Sequence, residues 1–520
     1  METRPLHAVS PEKLRGEATG KTANDDGCHG GADRMQAAAR AAGKQSVLDR
    51  YAKDYPSGPH DQPQSMCPAF GSLRVGLRMK RTATVLSGSA CCVYGLTFTS
   101  HFYGARRSVG YVPFNSESLV TGKLFEDIRD AVHELADPEH FDTIVVTNLC
   151  VPTASGVPLR LLPEQINGVR IIGIDVPGFG VPTHAEAKDV LAGAMLEYAF
   201  KEAESGPVLA PDNVAGKQGQ STSLPTITLL GEMFPADPMI INQMIEPLGL
   251  RVGSTVPTRE WRELYTALDC QAVAAIHPFY TASVRVFEKA GRPVFGSAPV
   301  GVDGTAAWLD SLAAISGVSS AKLGPVKDTN LAGIKAALAA APIKQRITLS
   351  GYEGSELIVA RLLIESGADV PYVGTACPRT PFSDDDRNWL ESKGVTVNYR
   401  ASLEDDLYAL QTFKPDLAIG TTPVVQKAKE QSLPALYFTN LISARPLMGA
   451  AGAGSLAQVV NAAAAGRERF KKMDAFFGNT GKDFAAGIWN EVPVDQPAFK
   501  QSMKRKREKQ EKARHVEGAI

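Results

Sequence analysis

Residues 81–150 read RTATVLSGSACCVYGLTFTSHFYGARRSVGYVPFNSESLVTGKLFEDIRDAVHELADPEHFDTIVVTNLC. Arg81 to Ala90 form a short apolar run, rich in β-branched side chains and ending in a Gly-Ser turn, which is the pattern of a buried strand. Residues 92–104 then read as a helix, 107–113 as a second strand, 119–137 as an amphipathic helix and 141–150 as a third strand. Strands that alternate with helices predict a parallel sheet covered on both faces, because each parallel connection is long enough to hold a helix.

The same alternation extends outward from this stretch. VRIIGIDVP (169–177) adds a strand and 184–204 a long helix, after which residues 206–225 are rich in Gly, Pro and Ser and read as a linker. A second unit places strands at TITLLGEM, RVGST, AVAAIHP and PVFGSAP. Residues 318–344 read as mostly helical and lead to a third unit with strands RITLSG, DVPYVGTAC, VTVNYRA, DLAIGTT and LPALYFTN. Three Rossmann-like α/β/α domains with parallel sheets follow as the economical architecture. Their expected bounds are an N-terminal arm over 1–60, domains over 61–225, 226–340 and 341–465, and a helical segment with a basic tail over 466–520. The run MGAAGAGSLAQVVNAAAAG (448–466) reads as a loop followed by a small-residue helix.

At 520 residues the chain is too long for one core, and 55 basic against 56 acidic residues give no global pull towards nucleic acid or an anionic membrane. No stretch is long and apolar enough for a transmembrane segment, and the first residues lack the apolar run of a secretory signal, so a cytoplasmic location is expected. There, seven cysteines are buried small hydrophobes, ligands or nucleophiles rather than disulfides. GEATGKT (16–22) is not a phosphate loop, since only three residues separate its glycines and no strand precedes it. Cys28 and His29 lie in a glycine turn and join no site; the seven basic residues from Lys504 to Arg514 read as a solvated tail.

Ligands of open parallel sheets gather outside the carboxyl ends of the strands. Cys92 and Cys150 follow strands at such ends, and Cys67 precedes a proline in SMCPAFG. Three thiolates on loops at one sheet edge can hold most of an iron–sulfur cluster although 83 positions separate the first from the last. Buried cysteines beside strands explain the same placement without a metal. His277, on a ligand-facing loop of the second unit, is a candidate proton donor or substrate-contacting residue, against the plainer reading of a satisfied structural histidine after a strand, and Glu232 in the matching loop has the same standing. Cys270 and Cys377 read as core or loop thiols, and Tyr94, Phe98 and Tyr103, at helical spacing, as core.

The stretches SMCPAFGSLRVGLRM, SGSACCVYGLTFTSHFYGARRSVGYVPFNSESLVTG and TNLCVPTASGVPLRLLP resemble the catalytic-component subunits of the nitrogenase-like family, and within it those that reduce a tetrapyrrole. Gly88 to Cys92 matches that family's Gly-x-x-x-Cys pattern, Thr147 to Cys150 its T-x-x-C pattern, and Gly178, Phe179, Gly180 and Thr183 its glycine-rich stretch before a helix. The resemblance implies that Cys67, Cys92 and Cys150 bind a [4Fe-4S] cluster whose fourth ligand comes from a partner, with Cys91 a rival to Cys92. It implies an oxidoreductase subunit acting on chlorophyllide a at the C7=C8 double bond of ring B, in a heterotetramer with a homologous Z-type subunit. A separate iron–sulfur reductase dimer would dock and hydrolyse the ATP. Reduction of C17=C18 in protochlorophyllide, or a cluster-assembly scaffold or tetrapyrrole-binding role, are the alternatives. Where nitrogenase's cofactor subunit has a cysteine in an H-C-Y turn, this chain has Pro278 between His277 and Phe279, which leaves the space between domains for an organic substrate.

Overall fold

The computed structural model describes residues 67–100, 109–205, 224–472 and 475. The expected N-terminal arm, GEATGKT, Cys28, His29, most of the linker and the basic tail lie outside the described residues. Three sheets follow one another along the chain. The first has the order β2-β1-β3-β5-β4, built from β1 (Thr82–Gly88), β2 (Val109–Pro113), β3 (Thr143–Asn148), β4 (Gln165–Ile166) and β5 (Val169–Asp175). Its strands are parallel except for the two-residue β4, which runs against β5. The second sheet has the order β7-β6-β8-β9, from β6 (Thr226–Leu230), β7 (Arg251–Val256), β8 (Ala272–Ala275) and β9 (Val294–Gly296). The third has the order β12-β11-β10-β13-β14, from β10 (Arg346–Gly351), β11 (Asp369–Thr375), β12 (Thr396–Tyr399), β13 (Leu417–Gly420) and β14 (Ala435–Tyr437).

The predicted α/β class with Rossmann-like parallel sheets is what the chain adopts. β1 and β3 are buried along their whole length, as expected of strands covered on both faces. In each sheet the strand order reverses once, between β1 and β3, β6 and β8, and β10 and β13. The crevice at such a reversal is where open α/β sheets bind ligands.

Two elements differ from the sequence reading. Residues 69–78 form a helix that the sequence did not announce, because Gly71 and Gly76 weaken its helical pattern. Both glycines are packing requirements: a Cβ on Gly71 would lie 2.2 Å from the carbonyl oxygen of His184, so this helix presses directly on the start of the helix His184–Ser205. The glycine run at 449–454 is helical rather than a loop, within Gly449–Ala465, because Gly452 must pass against the backbone of Leu447. One apolar core runs through the second and third sheets and another joins the first sheet to the second, so the three sheets share their interiors.

Candidate functional site

The first reversal point carries the cysteines. Cys150 opens a short helix, Cys150–Ala154, two residues beyond β3. Cys92 lies four residues beyond β1 in the helix Ala90–Ser100. Cys67 stands just before the helix Ala69–Arg78, where its carbonyl accepts from the Phe70 N–H at 3.0 Å. The structure brings all three half-buried thiols to one edge. Burial pushes the Cys67 thiol up to about 11 against the pull of the Ala69 N–H, and the negative charges of Cys150 and Cys92 add to the rise. Burial raises Cys92 as well, with Cys91 and Cys150 contributing.

The sulfurs are addressed by polar hydrogens. The Gly178 N–H donates to Cys150 Sγ at 3.2 Å, from the turn after β5, and the Ser89 hydroxyl donates to Cys92 Sγ at 3.1 Å. Cys91 shares Ser89 at the same distance but is exposed and has no part in the charge interactions felt by Cys67. Among the described residues no three His, Cys, Asp or Glu side chains stand closely enough to hold one metal ion. A cluster, in which thiolates bind different irons, spreads its ligands more widely, and three thiols that repel one another's ionisation suit a cationic group between them. Tyr94 was expected in the core but is 74% exposed, because Val93 and Leu96 take the inward face of its helix. The side chains of Phe98 and Tyr103 lie outside the described residues.

The second and third reversal points meet elsewhere, in a buried junction of charges that the sequence reading did not assemble. Lys188 Nζ lies 2.7 Å from Glu232 Oε2, in the loop after β6, and 2.6 Å from Glu353 Oε2, in the loop after β10. Arg74 Nη2 donates to Glu232 Oε1 at 2.8 Å, and His184 Nδ1 is 3.2 Å from Glu353 Oε1. Burial alone would raise both carboxyls, but Lys188 and Arg74 outweigh it and hold Glu232 at about 2. Glu353 is likewise held well below the usual carboxylate range, chiefly by Lys188 and His184. Beneath it, Glu356 accepts the Glu353 N–H at 2.9 Å and the Thr375 hydroxyl at 2.9 Å, and so shapes the turn.

His277 borders this junction. It is 5% exposed, and burial first and Lys188 second push its imidazole down to about 4, so it is neutral at physiological pH. Its Nδ1 and the Tyr280 hydroxyl have no hydrogen-bond partner among the described residues. Gly231, at φ +136°, leaves room for it, since a Cβ there would come within 2.9 Å of the imidazole. The expected open space behind Pro278 is therefore filled: His277, Phe279, Tyr280 and Glu353 are all buried, and the Pro278 carbonyl accepts the Thr380 hydroxyl at 2.7 Å. Cys270 and Cys377 are buried thiols, both raised by burial. Among the described residues no helix is long and apolar enough to cross a membrane.

Three parallel sheets with thiols at a reversal point define a class, and residues 67–464 match that class, the nitrogenase component 1 type oxidoreductases; the chain belongs to this family. Membership implies an iron–sulfur cofactor and assembly with a further subunit. Within the family, the chain is 67% identical over 494 residues to the chlorophyllide reductase 52.5 kDa chain of Cereibacter sphaeroides, covering 95% of this chain and 97% of that one. It is 65% identical over 496 residues to the protein of the same name from Rhodobacter capsulatus, covering 95% and 99%. A solved structure titled Nitrogenase Cp1 at pH 6.5 shares the fold, with TM-score 0.58 and 17% identity over 78% of this chain and 93% of that chain.

Proposed function

We propose that this chain is the Y-type catalytic-component subunit of an ATP-dependent chlorophyllide a reductase, acting on the C7=C8 double bond of ring B. The observation that carries the reading is the identity of 65–67% along 95% of the chain with proteins named as chlorophyllide reductase chains. In this reading Cys67, Cys92 and Cys150 hold a [4Fe-4S] cluster, and a homologous Z-type subunit completes a heterotetramer and supplies the fourth ligand. Cys92 is preferred over Cys91, a preference supported by its greater burial and its interaction with Cys67 and Cys150. When bound, the cluster would pass single electrons at a potential set by its ligands, their hydrogen bonds and burial. The Gly178 N–H and Ser89 hydroxyl are the groups of this chain that tune the sulfurs, by donating to Cys150 and Cys92. An ATP-hydrolysing iron–sulfur reductase dimer would deliver the electrons, and the protein would act in the cytoplasm. Three domains at about the bounds 61–225, 226–340 and 341–465 belong to the same reading, which the succession of three sheets supports.

The test is anaerobic co-expression with the partner subunit, then assay with the reductase and ATP on chlorophyllide a and on protochlorophyllide. Turnover of chlorophyllide a alone is expected. Turnover of protochlorophyllide alone would move the reading to C17=C18 reduction, and bound iron without turnover of either would make the chain an assembly scaffold.

A further inference from the structure

The charge junction and the thiol edge are joined by two helices. Cys67 directly precedes the helix Ala69–Arg78, which carries Arg74 two turns further on. Gly178, whose N–H reaches Cys150, precedes the helix His184–Ser205, which carries His184 and Lys188 on consecutive turns. The two helices are locked together where Gly71 meets the His184 carbonyl, and the His184 ring makes edge contacts with Phe70 at 5.6 Å and with Tyr352 at 5.0 Å. The buried charges that anchor this helix pair to the second and third sheets come from the loops after β6 and β10, through Glu232 and Glu353, while the more exposed Arg400–Glu186 and Lys289–Glu197 pairs fasten the longer helix nearer the surface.

We propose that Arg74, Lys188, Glu232 and Glu353 are positioning residues that hold the helix carrying Cys67 and the turn carrying Gly178 in fixed relation to the second and third sheets, and so keep the three thiols assembled. This rests on the cysteine reading above only for its purpose; the positioning itself concerns the chain's own side chains. A buried lysine and a half-buried arginine face a buried and a half-buried carboxylate, so the set is neutral as a whole, and removing one member leaves a charge without its partner. The strain of that loss falls on the loops and helix ends that the four residues tie together.

The experiment measures alkylation of Cys67 by iodoacetamide in the full-length, iron-free chain, by peptide mass spectrometry, with the exposed Cys91 as internal reference. Lys188→Met is expected to raise the Cys67 rate about tenfold, as local opening of a half-buried site allows. Lys188→Arg should keep the protection. Arg361→Met, which breaks the buried Arg361–Asp386 pair of the third domain, controls for general destabilisation and should leave Cys67 unchanged. Glu232→Gln, a milder loss at a half-buried position, should give a smaller rise and carries the test should Lys188→Met not fold. An unchanged Cys67 rate in Glu232→Gln together with Lys188→Met, or in Glu232→Gln alone where Lys188→Met does not fold, overturns the proposal. So does an equal rise in Arg361→Met. Iron content of the co-expressed wild-type complex reports on the cluster reading separately, since alkylation needs no iron.

Discussion

The reversal point of the first sheet and those of the second and third have the same topology and opposite contents. At the first are three half-buried thiols whose polar support, among the described residues, comes from the Gly178 and Ala69 N–H groups and the Ser89 hydroxyl. At the other two, a lysine, an arginine and two glutamates are ion-paired with one another, and the imidazole beside them is kept neutral. The same crevice can thus hold thiols with no ion partner, which suits binding something, or charges paired with one another, which suits holding something still. Charge pairing, more than concavity, distinguishes the two in this molecule.

Substitutions can break that contrast. The largest effect belongs to the thiol edge: single changes of Cys67, Cys92 or Cys150 to Ser in the co-expressed complex should abolish bound iron and its visible absorbance, while Cys91→Ser should retain both. Iron retained in Cys92→Ser and lost in Cys91→Ser would exchange the two roles. At the junction, Lys188→Met should destabilise the fold by about 3–5 kcal/mol in denaturant unfolding, because it strands buried carboxylates. Arg400→Gln, which removes the bidentate pair with Glu186 at 2.7 Å in a more exposed position, should cost about 1 kcal/mol or less. Similar costs for the two would erase the distinction between buried joint and rim contact.

The smallest effect is a pH dependence. The folded His277 sits at about 4, below its ordinary value of 6.5, so the folded state binds fewer protons than the unfolded chain between those values. Its contribution to stability is fully present above pH 6.5 and is lost as pH falls towards 4. Buried Asp189 and Asp237, each raised to about 6, act oppositely: their contribution is present below the ordinary carboxylate value and lost as pH rises through about 6. The informative quantity is therefore the difference between wild type and His277→Gln. Unfolding midpoints from pH 7 to pH 4.5 should show the variant gaining on the wild type as pH falls; parallel curves would mean that the imidazole is not desolvated.

The fold was legible because strands buried on both faces leave continuous apolar runs, and RTATVLSG and FDTIVVTN both do so. The thiol edge was legible for a related reason, since strand ends can be located and residues just beyond them converge. The charge junction was not, because its pairs join residues 158 and 165 positions apart and such pairs leave no local pattern. A faint signal did exist: Lys188 lies in a helix with Ala185, Leu191 and Ala192 at helical spacing, so a cation sits on a face that otherwise reads as core. Glu353, set between glycine-rich turns, gave no comparable sign, and the helix over 69–78 was hidden by glycines kept for close packing.

The helix His184–Ser205 also sets where the chain tolerates a change of length. Its 22 residues carry, in order, His184 and Lys188 for the junction, Asp189 accepting the N–H groups of Ala282 and Ser283, Gly193 against Ala282, and Glu202 paired with Arg170. Each inserted residue turns everything beyond it by about 100°. An insertion between His184 and Lys188 would swing the lysine out of the junction, and one between Asp189 and Glu202 would pull the contact with Ala282 and Ser283 out of register with the one to Arg170. Descendants of this gene can therefore grow beyond Ser205 far more readily than within the helix, which works as a ruler with its marks fixed by partners spread around all three sheets.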